Sequence, residues 1–433
     1  MGPFEASILL FSVFLLLVAI RVPVSVALGL ATLPVFILHD RLTISLLFTE
    51  MFKAYNSFLL LSVPFFLLAA NLMNAAGITD RMIRLCRALV GWMPGGLGHV
   101  NVSVSMLFAG ISGSSTADAA GIGSLMIPAM EKEGYDTSVS VAITSCSSVM
   151  GVIIPPSVLM IIWGGVMSVS IGSLFLAGVV PGILIGGSMM VAVYLYALKR
   201  GYPRYAFPSM RELSAAFASA FFALTTPVVI VGGIVAGFFT PTEASVVAVL
   251  YSMLLGLFVY RSLTFRELPK VFYDSARFAA IALFAVGTAS AFSFLLAYFQ
   301  VPKSLVVLFA DMQLGPIATA LIVVACFLVI GMFIDAIPAI IILGTVLWPV
   351  AETSGMHPIH FAILGVVSLA FGLVTPPYGL CLMIACSIGK IRVIDALRDT
   401  LIILAPMLFI LLLIAVLPDL ILWLPRLLMP KFM

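Results

Sequence analysis

Val152-Ile153-Ile154-Pro155-Pro156-Ser157 and Leu373-Val374-Thr375-Pro376-Pro377-Tyr378-Gly379 each set two consecutive prolines in the middle of an apolar run. Proline has no N–H, and its ring clashes with the preceding turn, so neither run can continue as one helix. The surroundings are greasy: block 137–198 holds 62 residues without a single charge. In hydrocarbon, the carbonyls freed by such a break need a cavity, a partner or an ion. The two stretches therefore predict a pair of broken helices at membrane depth.

The breaks belong to a repeat. Shifting the chain by 221 residues aligns 110–156 with 331–377 without a gap. Gly110, Gly123, Pro128, Glu131, Gly134, Ser147, Gly151, Pro155 and Pro156 then meet identical residues, and seven of these nine are Gly or Pro, which set backbone shape. Duplicated halves are common in secondary transporters. Each copy has the same construction. A run interrupted by small polar residues comes first, Gly110-Ile-Ser-Gly-Ser-Ser-Thr-Ala-Asp118 or Gly331-Met-Phe-Ile-Asp335. A polar turn follows, and then the broken run.

Composition fits this reading. Of 433 residues 63% are hydrophobic and 9% charged, with 21 Lys and Arg against 18 Asp and Glu. A soluble domain carries about 25% charged residues, so a water-soluble enzyme is excluded. At roughly 20 residues per crossing the chain suffices for about ten to a dozen crossings with short connections. A net charge of +3 is too small to point to a nucleic-acid partner. The most basic loop, with Lys199, Arg200, Arg204 and Arg211, is placed in the cytoplasm by the positive-inside rule. The five cysteines form no CxxC pair, and no GxxxxGK[ST] stretch is present. This argues against a disulfide framework, a zinc site or P-loop ATP hydrolysis. The N-terminus lacks a basic signal-peptide region, so Ala6 to Ile20 reads as a retained helix. Segments 41–56, 209–218 and 264–277 read either as amphipathic surface helices or as loops.

Candidate site residues come from the same stretches. Asp335 is the only charge between Asp311 and Glu352. An isolated carboxylate at membrane depth is a functional candidate by default, and the plainer reading is a cap on a broken helix. Ser114 is its equivalent under the 221 shift. Ser112, Ser114 and Ser115 offer hydroxyl oxygens, hard ligands for a small cation, or simply small side chains for close packing. Ser157 and Thr375 flank the breaks. Asp118 is the lone charge between Arg87 and Glu131, and Glu243 that between Glu212 and Arg261. Glu243 follows Thr240-Pro241-Thr242 and reads as a helix cap.

GISGSSTADAAGIGSLMIPAM, GVIIPPS, FID and FGLVTPPYG together resemble the large membrane subunit (DctM-like) of tripartite ATP-independent periplasmic (TRAP) transporters, over nearly the whole chain. The resemblance implies an all-α polytopic membrane protein of the elevator type. It implies two inverted repeats, two re-entrant helical hairpins and discontinuous helices, in a multi-pass protein of the bacterial inner membrane. The domains expected are scaffold helices with an amphipathic arm at 1–94 and again at 201–311, transport-domain repeats at 95–200 and 312–398, and a C-terminal transmembrane helix at 399–433. The hairpins are expected at 98–130, with Ser112 and Ser114 near the tip, and at 316–352, with Asp335 at the tip. The unwound segments are Gly151–Ser157 and Gly372–Gly379. Candidate sodium ligands are Ser112, Ser114, Ser115, Gly151, Pro155, Gly331, Asp335, Thr375, Pro377 and Gly379. Candidate substrate contacts are Ser157, Pro156, Thr116, Asp118, Pro376 and Tyr378. The implied function is sodium-coupled uptake of an organic acid, with about two sodium ions by resemblance and no organic cofactor. The implied partners are a periplasmic substrate-binding protein, a small four-helix membrane subunit, the carboxylate solute and membrane lipid.

Two other readings follow from the residues. A proton-coupled carrier of the same fold would want more intramembrane Asp, Glu or His. An intramembrane serine protease is suggested by Gly110-Ile-Ser112-Gly113, but it needs a histidine base from a later helix, and the next ones are His357 and His360.

Overall fold

The computed structural model describes residues 3–310 and 315–432. Among these residues there is no strand. α1 (Pro3–Ala19) and α2 (Val24–Leu38) form a packed pair, followed by the short α3 (Ile44–Tyr55). α4 (Ser62–Ala75) meets α5 (Ile78–Val90) at a 70° bend, where Gly77 takes the left-handed conformation. The first hairpin consists of α6 (Gly96–Ser112) and α7 (Ser115–Lys132). α8 (Thr137–Ser148) tightens into a 3₁₀ turn (Val149–Val152), breaks at Pro155-Pro156 and resumes as α9 (Val158–Met167). Three long rods and a shorter one follow: α10 (Ile171–Arg200), α11 (Met210–Val235), α12 (Pro241–Leu254, extended by a π turn to Val259) and α13 (Leu268–Tyr298). After α14 (Val301–Ala310) the second hairpin is built from α15 (Pro316–Gly331) and α16 (Ala336–Thr353). α17 (Pro358–Gly372) and α18 (Leu380–Gly389) flank the break at Pro376-Pro377, and α19 (Val393–Val416) and α20 (Asp419–Leu428) close the chain. Both Pro-Pro peptide bonds are cis.

The broken-helix expectation holds at both sites, and the hairpins lie within a few residues of 98–130 and 316–352. Six helices among the described residues are long and apolar enough to cross a membrane, or seven if the bent pair α4–α5 counts as one span. One of the six, α16, is a hairpin arm. At 1.5 Å per residue the 31 residues of α13 reach about 46 Å, more than the hydrocarbon core of a bilayer. Large apolar side chains such as Leu16, Phe217, Val228 and Phe409 stand 51–69% exposed, as lipid-facing surface should. The other long rods are accompanied by shorter apolar helices, so the expected crossings are met partly by pieces.

Two groups of helices emerge from the packing. α4 lies along α12 and α13, and α13 also holds α2 and α3 on one side and packs on α16 of the second hairpin on the other. The core group pairs crosswise: α7 of the first hairpin packs on α18, beyond the second break, and α16 of the second hairpin packs on α9, beyond the first. Trp163 of α9 is fully buried against Phe327 of α15 and Phe361 of α17 at the centre of this group. Helix α19 packs on α8 and α10 and runs from Val393 to Val416, so residue 399 falls inside it.

The surface segments resolve individually. Residues 41–56 do contain a separate helix, α3, packed on α13. Segments 209–218 and 264–277 instead run into the spanning rods α11 and α13. A capping box at Ser209 and Glu212 starts α11 where the basic loop ends. Thr240 and Glu243 form the same box at α12, so Glu243 is the helix cap its sequence context indicates. Sequence reading missed α5, whose Arg81, Arg84 and Arg87 lie between apolar residues at helical spacing.

Candidate substrate and cation site

Each hairpin tip is fastened to the break of its own repeat. The Gly113 carbonyl accepts from the Val158 N–H at 3.2 Å, and the Met332 carbonyl accepts from the Tyr378 N–H at 2.9 Å. Ser114 caps α7, its hydroxyl accepting from the Ala117 N–H at 3.4 Å. Asp335 caps α16, its Oδ1 accepting from the Ala336 N–H at 2.8 Å. The equivalent residues of the two repeats thus do the same local work.

The tips and breaks meet around one cavity of about 1290 Å³. Four helices start at its wall, with Ser115 of α7, Val158 of α9, Ala336 of α16 and Leu380 of α18 all lining it. Free N–H groups at helix N-termini favour an anion. The C-terminal ends of the complementary half-helices lie at the same wall through Ser112, Val152 and Leu373, and their carbonyls favour a cation. One space therefore offers both polarities without a cluster of charged side chains. Among the described residues no group of three His, Cys, Asp or Glu could hold a transition metal. The oxygen-rich set suits a hard cation instead.

The sequence candidates separate into three sets. Ser112, Ser114, Ser115, Thr116, Asp335, Pro377 and Tyr378 line the cavity. Gly151, Pro155, Gly331, Thr375 and Gly379 stand in the breaks and tip around it, outside the lining. Pro156, Ser157, Pro376 and Asp118 also lie off the cavity wall. Ser157 is fully buried; its hydroxyl donates to the Val152 carbonyl at 2.6 Å and accepts from the Met160 N–H at 3.3 Å. Thr375 donates to the Phe371 carbonyl at 2.8 Å. The Ser157 hydroxyl supplies the Val152 carbonyl with the donor that Pro156 lacks, whereas Thr375 bonds back one turn to a carbonyl that the Val374 N–H also reaches. Asp118 is fully buried, and neither carboxylate oxygen makes a hydrogen bond of ordinary geometry; the Ser112 side chain is the polar group facing it.

Glycine is required where hairpins and breaks touch. A methyl on Gly151 would fall 2.3 Å from Asp118 Oδ2, and one on Gly372 would fall 2.4 Å from the Gly331 carbonyl carbon. The two positions are equivalent under the 221 shift, so both repeats bring a break against a tip at backbone distance.

Scaffold residues complete the cavity and were not legible as site residues. Arg21, at the α1–α2 turn, and Asn71 of α4 line it together with Phe278 and Ile281 of α13. A smaller cavity of about 510 Å³ next to it adds Asn74, Asp274 and Arg277. Ser112 has no histidine base: His360 Nε2 pairs with the Ile414 carbonyl at 2.9 Å and His357 caps α17.

The chain matches the family described as "Tripartite ATP-independent periplasmic transporter, DctM component" over residues 11–420. It is 37% identical over 405 residues to the sialic acid TRAP transporter large permease protein SiaM of Vibrio cholerae, covering 94% of this chain and 95% of that one. It is 34% identical to the C4-dicarboxylate TRAP transporter large permease protein DctM of Rhodobacter capsulatus, covering 90% and 92%. In fold it is similar to the YdaH transporter of Alcanivorax borkumensis, with a TM-score of 0.60 at 16% identity over 95% of this chain and 97% of that one. A duplicated pair of hairpins and breaks around one two-signed cavity, in a chain so similar to these permeases along its length, belongs to an integral membrane transport protein and not to an enzyme: it is a member of the DctM family, the large permease subunits of TRAP transporters.

Proposed function

We propose that this permease imports an organic acid, of the C4-dicarboxylate, sialic acid or related carboxylate class, driven by a sodium gradient through an elevator motion. The partners in this reading are a periplasmic binding protein that delivers the acid and a small four-helix membrane subunit. The observation that carries it is the convergence of four helix N-termini and the opposing C-terminal ends on one cavity. The N-termini of α7, α9, α16 and α18 are suited to hold the carboxylate. Bound sodium supplies positive charge that offsets Asp335 and the exposed carbonyls, so that an anion can share the space. The residues present fit it, since the tips offer hydroxyls, a carboxylate and proline-freed carbonyls.

Inverted repeats are supported by chain direction. The broken α8–α9 and the rods α10, α11, α12 and α13 are five crossings between the base of the first hairpin and α14, and an odd number brings the second hairpin in from the opposite face. The side of opening follows from the same path. The cavity runs along α4 and the middle of α13, and the smaller cavity next to it continues to Ala75 and Val271, toward the face where the Ser262 hydroxyl donates to the Ala76 carbonyl at 2.7 Å and Arg81 lies over Tyr260. Arg87 stacks on Tyr205 of the basic loop. This face carries Arg200, Arg204, Arg261 and Arg266, so the positive-inside rule makes it cytoplasmic and the cavity inward-facing. The elevator reading is supported by a scaffold of α2, α3, α4, α12 and α13 that meets the crosswise hairpin core chiefly where α13 packs on α16 and α4 on α6.

The test is uptake of radiolabelled organic acid by proteoliposomes holding the complete complex and its binding protein. An inward sodium gradient should drive accumulation, and a proton gradient alone should not. Accumulation on the proton gradient without sodium would replace sodium coupling by the proton-coupled alternative.

A further inference from the structure

We propose that the smaller cavity, between α4 and α13 of the scaffold, is a second cargo site: Arg277 takes the carboxylate of the acid, and Asp274 takes a hydroxyl hydrogen, once the cargo has left the hairpin tips. The inference rests on the organic-acid reading and adds a release-side station to it.

The polar wall of this cavity is Asn71 and Asn74 of α4 with Asp274 and Arg277 of α13. Each pair is one helical turn apart, which puts both members on one face. Asp274 and Arg277 are the last charges along α13, whose remaining residues to Tyr298 are uncharged. Although neighbours on the helix, they form no ion pair among the described residues. The Arg277 guanidinium carbon stands 5.8 Å from the centre of the Tyr273 ring. Both charges are therefore open to a ligand.

Hydrogen bonds inside the wall fix which other groups stay free. Asn71 Nδ2 donates to Ser275 Oγ at 2.8 Å, and Asn74 Oδ1 accepts from the Thr79 hydroxyl at 3.1 Å. Asn71 Oδ1 and Asn74 Nδ2 remain. The wall thus offers donors at Arg277 and Asn74 and acceptors at Asp274 and Asn71. A bare dicarboxylate carries only acceptors at neutral pH and would set like charge against Asp274. A hydroxylated carboxylate satisfies both kinds of group: its carboxylate pairs with the guanidinium fork, and a hydroxyl donates to Asp274.

Position gives the site its role. The two cavities share Asn71, Phe278 and Ile281 in their walls, so cargo passes from one to the other along a continuous surface. Gly121 of α7 faces Asn74 from the core side, where a methyl would lie 3.7 Å from Asn74 Nδ2. The helix N-termini suited to the carboxylate belong to the hairpin core, whereas the smaller cavity is walled by scaffold helices alone. A motion of core against scaffold changes the distance between the two sites. The second site therefore competes for the cargo only when the core stands beside it, which biases release toward the face of the Arg200 loop.

The test is maleimide labelling of Ala75→Cys in the complete complex carrying Cys326→Ser, in inside-out vesicles. Ala75 is exposed and lines the smaller cavity but not the larger one. Gluconate and hexanoate are the probes: they match in chain length and have one carboxylate each, and gluconate adds a hydroxyl on every remaining carbon. Gluconate should slow labelling at a concentration about tenfold below that needed of hexanoate. Arg277→Gln should raise the gluconate requirement on the order of tenfold, and Asp274→Ala should erase the preference for gluconate. No labelling of Ala75→Cys, no protection by gluconate, equal protection by the two acids, or variants that protect like the parent would overturn the site. The comparison of the two acids needs no site variant, so it decides even where a variant fails to assemble. Sodium-driven uptake of organic acid that persists beside such a result would leave the transport reading standing, and its absence from the wild type would overturn that reading instead.

Discussion

Ser114 and Asp335, 221 residues apart, each cap the outgoing arm of a hairpin, and both line the same cavity. Capping alone is worth about 1 kcal/mol to a helix, which Ser satisfies as well as Asp. The carboxylate at 335 is therefore more than a cap requires, and it is costly at this depth. Asp335→Ala and Ser114→Ala are expected to abolish sodium-dependent uptake while the complex still elutes intact. Wild-type transport by both variants would remove these residues from the site.

Gly151→Ala and Gly372→Ala test the contact between tip and break. Each methyl would collide with atoms 2.3–2.4 Å away, and at Gly372 these are backbone atoms that cannot rotate aside. Overpacking costs typically about 1–3 kcal/mol, so both variants should unfold at lower temperature and transport poorly. Gly187→Ala is the control, since nothing lies within 4 Å of its added methyl and alanine favours a helix by up to about 1 kcal/mol. A Gly372→Ala protein as stable as Gly187→Ala would show that the break does not sit against the tip.

A polar ladder holds the first hairpin to the broken helix. Asn101 donates to Thr144 Oγ1 at 2.7 Å, Ser147 donates to Asn101 Oδ1 at 3.4 Å, and Ser105 donates to Ser147 at 2.9 Å, all buried. Hydrogen bonds between membrane helices contribute about 0.6 kcal/mol on average, but a partner left unpaired in the interior adds a desolvation cost. Asn101→Leu should lower stability by about 1–3 kcal/mol in a detergent titration, and Ser105→Ala by less. No loss in Asn101→Leu would mean that apolar packing fixes the hairpin.

Much of this was legible because the repeat is written in backbone-shaping residues. Prolines forced both breaks, and lone charges in apolar runs marked Asp335 and Asp118. The crosswise pairing of α7 with α18 and α16 with α9 was not legible, because it depends on contacts between halves that no local pattern encodes. For the same reason Asp118 read as a substrate contact, although the fold seals it away from the cavity. Ser157 and Thr375 read as ligands because a hydroxyl beside a break offers oxygen, and whether a neighbouring carbonyl claims that hydroxyl depends on the path of the broken turn. The helix α5 was hidden because three arginines at helical spacing look like loop punctuation when burial is unknown.

Acid should loosen the base of the first hairpin. Asp136, in the turn before α8, accepts from the Tyr202 hydroxyl at 2.6 Å and pairs with Arg200. The Tyr202 hydrogen bond is the largest influence; partial burial opposes it, and Arg200 adds to it, so the Asp136 carboxyl titrates below its ordinary value of 3.8. A carboxyl held lower in the folded state contributes stability above its unfolded pKa and loses it as pH falls through the folded pKa. The pair is exposed, so the effect is small. Between about pH 5 and pH 3 the wild type should lose more Tm than Asp136→Asn, with Tyr202→Phe in between. Equal losses would show that the turn contributes nothing to acid sensitivity.

Cysteine labelling tests which face the cavity opens to. Met383 of α18 lines the cavity and is 39% exposed. The native cysteines 86, 146, 381 and 386 are buried, so replacing the partly exposed Cys326 leaves a quiet background. In that background Met383→Cys should react with a membrane-impermeant maleimide added from the side of the Arg200 loop, in inside-out vesicles, and far more slowly in right-side-out ones. Bound organic acid should slow the reaction, because Met383 and the helix N-termini that hold the carboxylate share one space. Labelling only from the opposite side would place the opening away from the basic face and reverse the assigned direction of release.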